Sequence, residues 1–147
     1  MKMPEGPMCR TPQKQKEYLK YLSTTDGCDF CQTATDPLAT IISEMQDFWI
    51  IKARFPYQIW DGCPVKEHLL LVPKRHTVSV HELTESEKKA YIDILGEYEY
   101  NGYVVYSRSP RAHTKSMVHH HTHFIMLEPH RVQTMVYHKK PHVLLYK

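Results

Sequence analysis

The chain contains no apolar run approaching the ~18 residues that a helix needs to cross a bilayer, so a helical membrane protein is excluded as a reading. It also has no internal repeat and no low-complexity segment, which removes repeat arrays and compositional linkers. With 147 residues it lacks the length for two comfortable domains but has enough for one with a real core. Its 41% hydrophobic and 24% charged content is ordinary for a globular protein, which argues against wholesale disorder. The opening MKMPEGPMCR carries Pro and Gly where a secretory signal would need an apolar run, so a cytoplasmic protein is expected.

Acid is nearly missing from one part of the chain. Residues 101–147 hold Glu128 alone against seven Lys or Arg (Arg108, Arg111, Lys115, Arg131, Lys139, Lys140, Lys147) and eight of the eleven histidines. Such a basic stretch implies an anionic partner, either phosphate on a small molecule or a nucleic-acid backbone. A merely solvated basic face is the competing reading.

Cysteine is sparse too: Cys9, Cys28, Cys31 and Cys63. Cys9 and Cys63 have no evident partners and read as plain thiols. In a reducing compartment the Cys28-x-x-Cys31 pair is expected to be a metal ligand pair or a redox pair rather than a structural disulfide. Two thiolates supply half of a tetrahedral zinc site.

The order of elements predicts an α+β domain: an antiparallel sheet of about five strands with two or three helices. Residues 1–12 read as a frayed lead-in. A short amphipathic helix follows over Lys14–Ser23, and then a turn bearing the cysteine pair. Strands are expected at Ile41–Glu44 and Asp47–Phe55, with an irregular loop over FPYQIWDGCP. The continuous run HLLLVP suits a strand buried on both faces. Thr84-x-x-Glu87 is a capping box opening a helix from Glu85 to Tyr100, whose Ala90, Tyr91, Ile94, Leu95 and Tyr98 share one side. YVVYS and HTHFIML read as two further strands, and TMVY and HVLLYK as β-like pieces of the tail, pairing with the sheet edge or reaching a second subunit.

The densest chemistry lies in HHHTHF, residues 119–124. On a strand covering 119–127, His119, His121 and His123 share one face, and His120, Thr122, Phe124 and Met126 share the other. Three imidazoles spaced ~6.6 Å apart form a row able to grip a phosphate ester. Near neutral pH each can be nucleophile, donor or charge stabiliser, according to the hydrogen bond made by its other nitrogen. His81, His113, His130, His138 and His142 read as surface residues.

The segment HHHTHFI resembles the His-x-His-x-His-x-x signature of the histidine-triad (HIT) family of nucleotide hydrolases and transferases. HLLLVPKRHTVSVHEL resembles that family's buried strand and Pro-x-x-His turn, CDFC its early cysteine pair, and TKSMVHHH its Ser ahead of the triad. The likeness covers Cys28 to Leu127, which sets off a lead-in and short helix over 1–27, a HIT domain over 28–127 and a tail over 128–147.

The resemblance implies a nucleotide phosphohydrolase in which His121 attacks the α-phosphorus and forms a covalent nucleotidyl-histidine. It implies that His123 contacts the phosphate oxygens, that His68 supports the triad, and that Ser116 lies beside the leaving group. Ser107 stands where members often have a phosphate-contacting Asn. Arg108, Arg111 and Lys115 would engage a longer phosphate chain or a nucleic-acid end, so nucleic acid stays open behind a small nucleotide. Around the second strand Asp61 would bind ribose, and Phe55, Ile59 or Trp60 would flank the base. The zinc-bearing branch implies a structural zinc on Cys28, Cys31, His76 and His119. Dinucleoside polyphosphates are the favoured substrates, with a homodimer as the assembly. The alternatives are a nucleotidyltransferase with a phosphate or sugar-phosphate acceptor, and a zinc-stabilised binding module without turnover. One departure is plain: the family's apolar inter-histidine positions are here His120 and Thr122, so that face is expected to be wetter or to meet the tail.

Overall fold

In the computed structural model the described residues are 9–132, 135–139 and 142–146, with side chains described over 9–132. Helix α1 spans Pro12–Thr24. Strands β1 (Ile41–Glu44), β2 (Phe48–Lys52), β3 (Ile59–Trp60) and β4 (Cys63–Pro73) follow, then helix α2 (Glu85–Tyr100). Strands β5 (Val104–Ser107), β6 (Thr122–Leu127), β7 (Met135–Lys139) and β8 (His142–Tyr146) complete the described chain. The main sheet is antiparallel in the order β1-β2-β4-β6-β5, with β3 paired to β4. The α+β reading holds.

The reasons are local. Thr11 caps α1, accepting from the Lys14 N–H, and Pro12 sits in the first turn, where a missing N–H costs nothing. Thr84 and Glu87 form the reciprocal capping box that starts α2. Arg75 adds two hydrogen bonds to the same Glu87 carboxylate and, with the backbone N–H of Thr84, holds its pKa at about 2. Strand β4 is buried on both faces. Its Leu69 and Leu71 pack with Phe48, Ile50, Phe124 and the α2 residues Tyr91 and Ile94. Its Leu70 and Val72 pack on the opposite face with Phe30, Trp49 and Ile51.

Several expectations need correction. Residues 9–12 are not frayed, because Cys9 is buried and its carbonyl accepts from the N–H groups of Gln58 and Ile59. Strand β2 stops at Lys52 rather than Phe55, while β4 starts five residues earlier than HLLLVP. The supposed irregular loop contains a hairpin, β3 to β4, turned by Asp61 and Gly62 with φ of 49° and 72°. Strand pairing begins at Thr122, so His119–His121 are an irregular lead-in to β6, with a bend at His119, rather than part of it. The face of His120 and Thr122 is dry: both are buried, with Thr122 Oγ1 2.6 Å from the Tyr91 hydroxyl on α2.

The two tail pieces, β7 and β8, pair antiparallel with each other. The side chains of His138 and His142, and residues 1–8 of the expected lead-in, lie outside what is described.

Leu71 is fully buried between sheet and helix, whereas Ile92 is 61% exposed on α2. Leu71→Ala is expected to cost ~2–5 kcal/mol in urea unfolding, and Ile92→Ala no more than ~0.5 kcal/mol. Equal losses would contradict this core.

Candidate active site and metal centre

Strands β4 and β6 place His68 and His123 on one face as diagonal neighbours, since Leu70 pairs with His123 and His68 with Ile125. The His68 and His123 side chains meet, Nε2 to Nδ1, at 2.9 Å. The backbone sets the protons. The N–H of Tyr57 donates to His68 Nδ1 at 2.9 Å, so the proton of a neutral His68 must be on Nε2 and is given to His123 Nδ1. His123 therefore carries its own proton on Nε2, a buried nitrogen with no partner among the described residues.

His121 is set by a different contact. Its Nδ1 lies 2.9 Å from the His119 carbonyl oxygen, which can only accept. The Nδ1–H donates there, which leaves the lone pair of Nε2 free. The rings of His121 and His123 are 5.0 Å apart, and both line one cavity. Burial lowers the pKa of His68 to about 3 and of His121 to about 4, and takes that of His123 well below the ordinary 6.5. All three are neutral at pH 7. The site thus offers a bare nitrogen beside a buried N–H donor.

The cavity opens to solvent and runs from helix α1 to the two histidines. Its wall is apolar at Phe30, Leu38, Ile51, Leu70 and Met117 and also carries Arg10, Tyr57 and Arg108. The Phe30 ring lies 5.0 Å from that of His121, and the Tyr57 ring 5.3 Å from that of His123. Helix α1 closes one side, with Tyr18 hydrogen-bonded to Ser116 and Tyr21 to Asp29. Asp36 and the Tyr21 hydroxyl both hold Arg54.

Of the residues singled out in the sequence, His68, His121, His123, Ser116, Arg108 and Phe55 line this cavity. Ser107 is exposed at the end of β5, with its hydroxyl 3.5 Å from the His121 carbonyl. Arg111 is exposed, and Lys115 turns its ammonium to the Val78 carbonyl. Asp61 is exposed at the hairpin tip. Ile59 and Trp60 stand off the cavity wall, Trp60 stacked on Tyr57. His81, His113 and His130 are exposed as expected. Arg10, Tyr18, Tyr57 and Phe30 also line the cavity without having been expected there. Arg10 lies in the lead-in, Tyr18 on the first helix, and Phe30 and Tyr57 lie within CDFC and FPYQIWDGCP, whose spacing does not single them out.

Behind His121 the second cluster forms. One ligand atom from each of Cys28, Cys31, His76 and His119 lies within 4.8 Å of all the others. His119 Nδ1 is 3.4 Å from Cys28 Sγ and 3.6 Å from Cys31 Sγ, and His76 Nδ1 is 3.2 Å from Cys31 Sγ. In a tetrahedral zinc site, bonds of ~2.3 Å to sulfur and ~2.05 Å to nitrogen place such pairs about 3.6 Å apart. His119 Nε2 lies 3.0 Å from the Pro73 carbonyl, which takes its N–H and turns Nδ1 toward the thiols. The four donors fit a zinc ion.

No protein-family model matches the chain, and no curated protein sequence is similar to it. Solved structures are. A HIT family hydrolase from Clostridium thermocellum is 25% identical, over 71% of this chain and 93% of its own, with a TM-score of 0.53. A Zn-bound histidine triad family protein from Mycobacterium smegmatis is 22% identical over 70% of this chain and 76% of its own, at 0.52. A hypothetical histidine triad nucleotide-binding protein from Sulfolobus tokodaii is 19% identical over 72% and 73%, at 0.55. The resemblance read from the motifs and the fold of these structures agree.

The His68 pKa yields a stability prediction. Its folded pKa, about 3, is below the ordinary 6.5, so the folded chain favours the neutral ring. That contribution is whole above pH ~6.5 and is lost as pH falls toward 3, by up to ~1.4 kcal/mol per pH unit. The urea midpoint should therefore decline from pH 6.5 to 4 more steeply in wild type than in His68→Asn. Parallel declines would contradict a buried neutral His68.

Proposed function

We propose, for a chain whose fold and motif are those of the histidine-triad family, that it is a nucleotide phosphohydrolase working through a covalent nucleotidyl-His121. The observation that carries this is the Nε2 lone pair of His121 beside the buried Nε2–H of His123, which has no partner among the described residues. Likeness to a structure named as a HIT family hydrolase supports hydrolysis in general.

In the first step the lone pair of His121 Nε2 bonds to the α-phosphorus while the bond to the leaving group breaks. The leaving group departs with that electron pair, and a phosphate leaving from an anhydride needs no proton. His123 Nε2–H donates to a non-bridging oxygen as its charge grows, the kind of preorganised donor commonly worth ~3 kcal/mol. Water then bonds to phosphorus, the bond to His121 breaks, and the proton of the water is released to solvent. The Tyr57–His68–His123 chain keeps the donor in place throughout.

The apolar wall of Phe30, Ile51 and Leu70 suits a nucleobase, and Ser116 suits the leaving-group side. The substrate is a nucleoside phosphate anhydride, ester or phosphoramidate, with dinucleoside polyphosphates favoured. Zinc on Cys28, Cys31, His76 and His119 is structural: when bound, it ties the N-terminal turn to the lead-in of β6.

Two measurements test this reading. Intact mass after brief exposure to a panel of nucleotide donors should reveal a nucleotidyl adduct on wild type and none on His121→Ala, with turnover lower by on the order of a thousandfold or more. Undiminished turnover in the variant would sink it. For the metal, elemental analysis should find about one zinc per chain in wild type and less than half of that in Cys31→Ser. Wild type itself below half an equivalent, despite zinc in the medium, would remove the ligand set.

A further inference from the structure

Two guanidinium groups line the cavity beside Tyr57, and neither has a carboxylate partner among the described residues. Arg10 gives Nε and Nη2 to the Phe55 carbonyl, at 3.0 and 2.7 Å, and one Nη1 proton to Gln15 Oε1 at 3.4 Å, with its Cζ 4.4 Å from the centroid of Tyr18. Arg108 gives Nη1 to the Tyr57 hydroxyl at 2.9 Å and Nε to Thr114 Oγ1 at 3.3 Å, while its Nη2 makes no hydrogen bond among the described residues. Both converge on one ring. Arg10 Cζ lies 4.8 Å above the centroid of Tyr57, whose hydroxyl Arg108 holds. Tyr57 in turn stacks on His123 at 5.3 Å and 20°.

Two like charges brought to one buried tyrosine repel each other, and burial further disfavours the charged Arg10. The ring face and the Phe55 carbonyl offset part of that cost. An anion between the guanidiniums would offset the rest, and planar forks are suited to phosphate oxygens. The position is informative. An apolar wall on the Phe30 side leaves the Tyr57 side for whatever is bonded to the attacked phosphorus. A neutral amine or alcohol would have no use for two cations there.

We propose that Arg10 and Arg108 form a second anion subsite, which holds the phosphate next to the one His121 attacks and so selects polyphosphate leaving groups over neutral ones. This rests on His121 as the nucleophile. It adds a residue outside every motif in the sequence, and makes leaving-group charge the determinant of substrate class. A second nucleoside is then not required; a nucleoside polyphosphate carries the anion that the subsite takes.

The test separates binding from chemistry. In His121→Ala protein, calorimetric titration with inorganic tripolyphosphate should give saturable binding that Arg10→Gln and Arg108→Gln each weaken by roughly tenfold or more, with Arg108→Lys recovering part. In the otherwise wild-type enzyme, each Gln variant should lower the ratio of kcat/KM for a nucleoside polyphosphate to that for a nucleoside phosphoramidate by at least about tenfold, mainly through KM. Should a variant fail to fold, wild type still decides: tripolyphosphate should protect Arg10 and Arg108 from an arginine-directed dicarbonyl reagent, read by peptide mass. An unchanged ratio, unchanged tripolyphosphate affinity or absence of protection overturns the subsite. If wild type forms no nucleotidyl adduct while tripolyphosphate still binds and protects, the nucleophile reading fails and the anion subsite stands.

Discussion

A single hydrogen bond from the Tyr57 backbone to His68 Nδ1 orders the chemistry of the site. A peptide N–H can only donate, so it removes the ambiguity of an imidazole that could carry its proton on either nitrogen. The choice passes from His68 to His123 and ends in a donor facing the cavity. Tyr57 can hold this position because its neighbourhood is pinned from both sides. The β3–β4 hairpin fixes the chain after it, and Cys9 and Arg10 bond to the backbone around it. Burial makes the arrangement effective, because a desolvated imidazole stays neutral and a nitrogen lone pair is available at ordinary pH.

The same alternation that arms the strand also insulates it. Odd-numbered histidines face the cavity and the metal cluster, while His120 and Thr122 face α2, where Tyr91 meets the threonine hydroxyl. Polar residues on a dry face are stable only with partners, and Tyr91 supplies one. His119 links the two sites through one residue: its carbonyl orients His121, and its ring joins Cys28, Cys31 and His76. A metal held there would therefore steady His121, the proposed nucleophile, through the backbone.

Much of this was legible before any coordinates. The capping box and the doubly buried strand are local patterns, set by helix termini and strand pleat, and they stand where the sequence places them. Of the histidines on the expected strand, by contrast, only His123 lies in it. The four-ligand cluster was readable only through resemblance, because Cys28 and His119 are far apart along the chain and meet only through the sheet. What escaped notice has one physical cause. Arg10, Tyr18 and Tyr57 reach the cavity through tertiary packing of α1 and the β3–β4 hairpin, which leaves no periodicity to read. The hairpin is hidden in the sequence because Pro56, Gly62 and Pro64 punctuate the segment as a loop, whereas positive φ at Asp61 and Gly62 closes a two-residue turn.

Charge completes the picture. The basic excess of residues 101–147 suggests a broad electrostatic surface, yet its members are put to different uses. Lys115 satisfies a backbone carbonyl, Arg111 stays in water, and among the described Lys and Arg residues of that stretch only Arg108 brings its side chain into the cavity. The cation that joins it comes from the opposite end of the chain. Selectivity in a pocket depends on which charges lose water and lack a counterion, because screening weakens those that remain exposed. Arg10 and Arg108 have no carboxylate partner among the described residues and lie beside a ring stacked on His123. Under the proposed reaction a charge on the ligand would therefore be sensed next to the reacting phosphorus rather than at the rim.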